Sequence, residues 1–328
     1  MPKEYTLKDF DFELPEALIA QKPASPRDHA RLLVYERKTK KITDDYFYNL
    51  DKYLPDDSTL VVNNSKVEKC RLRIGSTEIF VLETINPTTI QALVFPGRKF
   101  QIGTTEVEGF KFQIDDIAED GIRTIRLDRQ LDDPSFDKYR LTPLPPYIAQ
   151  DESLAEEYQT VYADPLGCKA APTAGLHFTP ELLKKINKFH DIAEVTLHVG
   201  MGTFAPVKTE NLKDHIMHEE HYIVTTEVSN KLNTANHLVA VGTTTVRTLE
   251  SAQRPYREQE GSTAIFITPG YEFKAVGALI TNFHLPKSTL LMLVSAFIGS
   301  VDELHRIYTH AIKEKYRFYS FGDAMLIL

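Results

Sequence analysis

The sequence predicts an α/β main domain, with a mixed and substantially parallel sheet, interrupted by a small inserted all-β barrel. Three observations predict it. Helix and strand signals alternate over residues 1–66 and again over 145–328, the pattern of an α/β layer. Between them, residues 67–144 hold short strands in period two, with Gly97, Gly103, Gly109 and Gly121 in the breaks. The chain has 328 residues, enough for about two domains.

The elements follow in order. Leu14-Pro15-Glu16 opens a short helix, Arg31 to Tyr35 reads as a strand, and Phe47, Leu50, Tyr53 and Leu54 have helical spacing. Leu60 to Asn63 is a short apolar strand. The barrel strands are Glu78 to Leu82, Gln91 to Phe95, Phe110 to Ile114 and Ile122 to Leu127, closed by the stiff return Leu141-Thr142-Pro143-Leu144-Pro145-Pro146. Leu154, Tyr158, Val161 and Tyr162 then mark a helix, and Thr179-Pro180 starts another whose apolar stripe is Leu182, Leu183, Ile186 and Phe189. Val195 to Val199, Leu238 to Val241 and Ile265 to Ile267 are the later strands.

Composition narrows the function classes. The chain is 42% hydrophobic and 26% charged, as ordinary globular proteins are. The longest apolar run, Leu290 to Ile298, is too short to span a bilayer, and the mixed-charge start MPKEYTLKDFDFELP has no signal-peptide core. Two cysteines, Cys70 and Cys168, suggest a reducing compartment, so a cytoplasmic location is expected, without a membrane or an obligate protein partner. The net charge of −8 argues against non-specific affinity for nucleic acid, which comes mainly from neutralising phosphates. A local basic face built from Lys66, Lys69, Arg71 and Arg73 remains compatible with it.

Chemistry concentrates where strands run into polar or glycine-rich loops. The stretch GCKAAPTAGLHFT, residues 167–179, places small residues, Pro172 and His177 just before a helix. Val195 to Val199 leads into Gly200-Met201-Gly202-Thr203, Leu238 to Val241 into Gly242-Thr243-Thr244-Thr245-Val246-Arg247, and Thr281-Asn282-Phe283-His284 lies further on. Ligands of open α/β sheets bind outside the carboxyl ends of the strands. A helix opening on a glycine and three threonines offers free N–H groups and hydroxyls to an anion. Arg247 and Glu250, three apart, can pair on one helix face. His177, His198 and His284 each border a loop and are acid/base candidates. His215, His218 and His221 beside Glu219 and Glu220 form a weaker metal-ligand pattern that lacks HExxH spacing.

The segments AAPTAGLHFT, VTLHVGMGTF, VAVGTTTVRTLESA, ITNFHLPKSTLLMLVSAF and YRFYSFGDAML, with DFDFELPEALIAQKP, PRDHARLLV, LPPYI and EYQTVYAD, resemble the S-adenosylmethionine:tRNA ribosyltransferase-isomerase family of queuosine biosynthesis. The resemblance covers most of residues 5–65 and 145–328 and implies an α/β domain with an inserted β-barrel. It also implies transfer and isomerisation of the ribosyl part of S-adenosylmethionine, a consumed co-substrate, onto 7-aminomethyl-7-deazaguanine at the tRNA wobble position. The products would be epoxyqueuosine-tRNA, adenine and methionine, with no metal expected. Under it, His177, His198, His284 and Asp323 are the acid/base candidates. Thr173, Gly175, Gly202, Thr203, Thr243, Thr244, Thr245, Arg247, Glu250 and Asn282 would grip the substrate, and Lys66, Arg71 and Arg73 would meet tRNA. Two departures stand out. Asn63-Asn64-Ser65-Lys66-Val67 replaces the family's usual Asn-Asp-Thr-Arg-Val, and Cys168-Lys169 replaces Ser-Val after Gly167. They keep open a diverged paralogue that binds tRNA or S-adenosylmethionine without this turnover, and the histidine cluster keeps open a metalloenzyme.

Overall fold

In a computed structural model of the chain, residues 4–200, 209, 212–215 and 217–328 are described. The chain divides into two compact units, Met1–Lys66 with Pro145–Leu328, and Val67–Leu144.

The first unit is built on a nine-stranded sheet. Its central strands, Arg31–Glu36, Ser58–Asn63, His237–Val241, Ala278–Asn282 and Ala324–Ile327, are buried on both faces and read as nearly unbroken apolar runs. One face carries Leu32, Val34, Leu60, Val62, Val239, Val241, Ile280 and Leu326, on which Phe47, Phe178, Leu182 and Ile186 pack. Among the described residues five α-helices accompany the sheet: α1 (Pro180–Ile186), α2 (Thr226–Thr234), α3 (Thr243–Ser251), α4 (Thr289–Ile298) and α5 (Val301–Lys313). Thr179 caps α1 as its sequence announces, its Oγ1 accepting the Leu182 N–H at 3.2 Å. Ser288 and Ser300 cap α4 and α5 in the same way, and Gly299 ends α4 at φ +86°, a conformation that favours glycine.

The sheet is mixed to a greater degree than expected. Ser58–Asn63 runs parallel to both neighbours, Asp191–Leu197 and His237–Val241, and His237–Val241 runs parallel to Ala278–Asn282. Arg31–Glu36 is parallel to Ala324–Ile327, while that strand meets Ala278–Asn282 antiparallel. Antiparallel strands Lys41–Tyr46 and Glu220–Val224 with Gln259–Thr263 complete the two sides.

Two expected elements differ. In place of a helix through Leu154, Tyr158, Val161 and Tyr162 there is one 3-10 turn, Glu152–Leu154, followed by turns. Leu154 and Tyr158 are separate anchors, Tyr158 meeting Phe321 edge-on, so their spacing mimics helical periodicity. The strand expected at Ile265 to Ile267 lies earlier, at Gln259–Thr263. There the Thr263 Oγ1 accepts the Ile265 N–H at 3.2 Å and turns the chain out of the ladder.

The second unit is a curled antiparallel sheet of seven strands, with Gly103–Val107 at one edge and Arg140–Leu141 at the other. It encloses an apolar core that includes Ile79, Ile90, Phe100, Phe112, Ile125 and Phe136. Among the described pairings each edge strand has one neighbour, so the sheet is an open half-barrel and not the closed barrel expected.

One buried side chain fixes the end of the central strand. Asn63 Oδ1 accepts the N–H of Leu197 at 3.0 Å and of Ser65 at 3.1 Å, and its Nδ2 donates to Leu197 O at 3.0 Å. Replacing it with alanine leaves these backbone groups buried without partners. Asn63→Ala is expected to lower stability by about 2–4 kcal/mol in urea titrations; an unchanged midpoint would show that the tie is dispensable.

Candidate active site

Because Ser58–Asn63, Asp191–Leu197, His237–Val241 and Ala278–Asn282 point the same way, the loops beyond three of them meet along one edge. There a cleft of about 650 Å³, counting its open mouth, is lined by Val199, by Gly242 to Thr244 and by Thr281 to Leu285. Ala171 to Ala174 of the opening stretch also line it, as do Tyr147, Tyr319 and Ser320. No Asp, Glu, Lys or Arg is among the described lining residues.

The α3 end of the cleft follows from local sequence. Gly242 stands at φ +90°, which glycine adopts without strain, and turns the strand sharply into the helix. Thr243 and Thr244 form the helix's first turn, where backbone N–H groups have no intrahelical partner. The Thr244 Oγ1 is buried without a hydrogen-bond partner among the described residues. Thr245 faces inward instead, its hydroxyl donating to Val241 O at 2.7 Å, and does not line the cleft.

Asn282 organises the opposite wall. Its Oδ1 accepts from Thr173 Oγ1 at 3.0 Å, and its Nδ2 donates to His177 Nε2 at 3.1 Å and to Tyr319 O at 3.2 Å. His177 lies behind this wall and touches the Phe47 ring, 5.1 Å between centroids. His284 lines the cleft itself, with Nε2 2.8 Å from Thr281 Oγ1 and its backbone N–H donating to Tyr308 OH at 3.1 Å. Burial pushes both imidazoles down to about 3, with the cations Arg317 and Arg27 adding to the effect at His177. Both are therefore neutral at physiological pH.

The remaining sequence candidates go elsewhere. His198 is not in the cleft lining; its Nδ1 lies 3.3 Å from Ser65 Oγ. Its pKa is lowered by burial, then by His221 and Lys169. Asp323 is a buried structural carboxylate. It accepts the backbone N–H of Arg31 at 3.0 Å and of Arg317 at 2.7 Å, and pairs with the Arg317 guanidinium. Gly175 serves packing, since a Cβ there would collide with the Tyr162 hydroxyl.

Arg247 and Glu250 do not pair with each other. Arg247 forms a buried ion pair with Glu220 and donates to Thr263 O. The Glu250 carboxylate accepts from the N–H groups of Lys274, Ala275 and Val276 and from Tyr271 OH, fixing that loop. Gly202 and Thr203 lie outside the described residues. Lys66 is exposed, while Arg71 and Arg73 both reach Glu78, at 3.1 and 3.4 Å.

Among the described residues no three His, Cys, Asp or Glu side chains gather in metal-binding geometry. His215 packs edge-on against Phe266, and His221 lies 4.0 Å from Glu260. No helix of the described residues is long and apolar enough to cross a membrane.

Of the two departures, the first has a structural account at Asn64, and nothing in the structure explains the second. Asn64 accepts from Thr196 Oγ1 at 2.8 Å and donates to Glu194 Oε2 at 3.3 Å, a bond that a carboxylate could not make. Cys168 is buried, and burial lowers the Lys169 ammonium to about 8. Tyr147, Tyr319 and Ser320 were not singled out by sequence. The two tyrosines stand in LPPYI and YRFYSFGDAML, yet no spacing marks them as a pair whose rings lie 4.7 Å apart.

A family model described as Queuosine biosynthesis protein matches residues 7–327. The chain is 50% identical to the S-adenosylmethionine:tRNA ribosyltransferase-isomerase of Thermotoga petrophila, over 98% of this chain and 99% of that relative. It is 46% identical to the protein of the same name from Clostridium kluyveri, over 97% and 98%. The crystal structure of S-adenosylmethionine tRNA ribosyltransferase from Thermotoga maritima is similar, with a TM-score of 0.57 and 40% identity, covering 98% of this chain and all of that one.

The histidine environments make a pH prediction. Their folded pKa values lie below the unfolded value of about 6.5. The unfolded chain therefore binds more protons between about pH 6.5 and about 3, and stability falls as pH drops through that window. His177→Gln should flatten the decline by up to about 1.4 kcal/mol per pH unit in urea titrations across it. Equal slopes for variant and parent would refute the buried neutral state.

Proposed function

The chain belongs to the S-adenosylmethionine:tRNA ribosyltransferase-isomerase family of queuosine biosynthesis, and we propose that it moves the ribosyl part of S-adenosylmethionine onto 7-aminomethyl-7-deazaguanine at the tRNA wobble position. The products are epoxyqueuosine-tRNA, adenine and methionine. The observation that carries this reading is a cleft with no Asp, Glu, Lys or Arg among its described lining residues, lined by a helix N-terminus, by a hydroxyl unpartnered among the described residues and by two tyrosines.

S-adenosylmethionine brings its own charges, a sulfonium cation and an amino-acid head. The N–H groups of α3 and the Thr244 hydroxyl suit its carboxylate. The Tyr147 and Tyr319 rings suit the sulfonium, which aromatic faces attract. A neutral imidazole beside that cation avoids like-charge repulsion. His284 is the one of the three candidate histidines that lines the cleft. In this reading it is the base, held unprotonated by burial at a cost in basicity.

The sulfonium acidifies the adjacent 5′ carbon, and His284 removes a proton there. The amine of the modified base and the 5′ carbon both bond to C1′ as its bonds to adenine and to the ring oxygen break, that oxygen closes the epoxide on the 5′ carbon by displacing methionine, and adenine leaves with a proton. Thr173 and Asn282 hold the wall against which the ribose lies, and His177 positions Asn282 from behind. Arg247, locked to Glu220, keeps α3 in place without touching substrate. Asp323 likewise holds the backbone of Arg31 and Arg317 and pairs with the Arg317 guanidinium. Lys66, Arg71 and Arg73 are proposed to approach the tRNA backbone.

The test is one incubation of protein, S-adenosylmethionine and tRNA carrying 7-aminomethyl-7-deazaguanine, followed by mass analysis of the nucleosides and assay of adenine. The parent should form epoxyqueuosine with one adenine per product. His284→Gln should lose about 100-fold or more in kcat. Thr244→Val should raise KM for S-adenosylmethionine about tenfold, roughly the effect of one lost hydrogen bond. A folded parent that releases no adenine would sink the reading.

A further inference from the structure

The curled sheet of residues 67–144 presents an aromatic ring to solvent beside a group of cations. Phe95, at the end of the Thr89–Phe95 strand, is 72% exposed. A single exposed apolar side chain is unremarkable. The register gives this one its company. Phe95 stands opposite Glu78, and Glu78 opposite Arg73, so the three form one row across three strands and share a face. Arg71, two residues from Arg73, is on that face as well and lies 3.1 Å from the same Glu78. One carboxylate thus serves two guanidiniums.

The segment that follows Phe95 adds more positive charge. Arg98, Lys99 and Ile102 are all exposed. Neither Arg98 nor Lys99 has an ion-pair partner among the described residues, and Lys99 Nζ donates to Ser76 Oγ at 3.0 Å. The segment is held firmly from beneath. Arg123 donates to Phe100 O at 3.2 Å and Gly97 O at 3.3 Å, Gln101 Nε2 donates to Gly97 O at 2.9 Å, and Thr105 Oγ1 to Lys99 O at 2.5 Å. A loop fixed in this way loses little freedom when it binds.

We propose that this face holds an unpaired stretch of the tRNA substrate, with Phe95 stacking on a base and Arg73 and Arg98 meeting the flanking phosphates. The inference rests on reading the chain as a tRNA-modifying enzyme. An aromatic face among guanidiniums is the chemistry that single-stranded nucleic acid selects, and it tolerates any base. A protein-binding patch would present a broader apolar centre with its charges at the rim. Since the chain carries a net charge of −8, a polyanion would be drawn to such a local cationic face and repelled elsewhere.

The experiment measures binding of a fluorescently labelled tRNA transcript and of a fully paired RNA duplex over a series of salt concentrations. Phe95→Ala should weaken tRNA binding about tenfold with an unchanged salt slope, Phe95→Trp should retain it, and duplex binding should not respond to either. Arg98→Gln should weaken binding and reduce the slope of log K against log salt by about one. Thermal melts matching the parent establish that each variant is folded, and Arg98→Gln, on an exposed turn, tests the face independently of Phe95. If the parent binds tRNA and both Phe95→Ala and Arg98→Gln bind it equally well, the face is refuted while the enzymatic reading stands. If the parent neither binds tRNA nor releases adenine, the reading fails and the face with it. If Phe95→Ala instead dissolves a self-associated species and leaves RNA affinity unchanged, the patch is a protein surface and the proposal is overturned.

Discussion

The candidate site depends on the direction of one buried strand. Ser58–Asn63 runs parallel to both its neighbours, so the chain must leave three adjacent strands on the same side of the sheet. Parallel neighbours cannot be joined by tight hairpins, and the crossovers between them leave that edge lined with loops. Asn63 ties this geometry down by satisfying both backbone groups of Leu197 at the point where the strands end. The Gly242 turn then brings the start of α3 to the same edge.

Among the described residues, charge is kept out of the cleft lining. Arg247 is closed off by Glu220, Glu250 is consumed by the backbone of 274–276, and Asp323 by the backbone of Arg31 and Arg317. Each carries its charge in a buried or half-buried place, where an unpaired ion would be costly. These residues brace the surrounding structure, and the described lining consists of hydroxyls, one amide, aromatic rings, a neutral imidazole and small or aliphatic groups. A pocket of that kind can receive a substrate that is both cationic and anionic without opposing either charge. The same economy explains Asn64, whose amide bridges Thr196 and Glu194 away from the cleft lining.

Much of the main architecture was legible beforehand. The apolar runs at Arg31 to Tyr35, Leu60 to Asn63 and Leu238 to Val241 mark strands because both faces are buried, and Thr179-Pro180 marks a helix start because the cap is local. The run of residues 154–162 misled because side chains buried one at a time from a loop can reproduce helical spacing. The strand at Ala278–Asn282 was hidden by its short length within a longer apolar and polar mixture, and the edge strand Gln259–Thr263 by its polarity.

The sequence by itself determined the family, through long ordered motifs, and the alternation that makes an α/β unit with an all-β insertion. It also put Thr173, Thr243, Thr244, Asn282 and His284 forward as site residues, because glycine turns and helix starts are local signals. Only the tertiary structure decided which of them meet. Arg247 turns to a glutamate 27 residues earlier, Asp323 to a backbone N–H 292 residues earlier, and Tyr147 reaches Tyr319 from the middle of the chain. Burial and partner choice depend on the packing of distant segments, and no spacing along the chain encodes them.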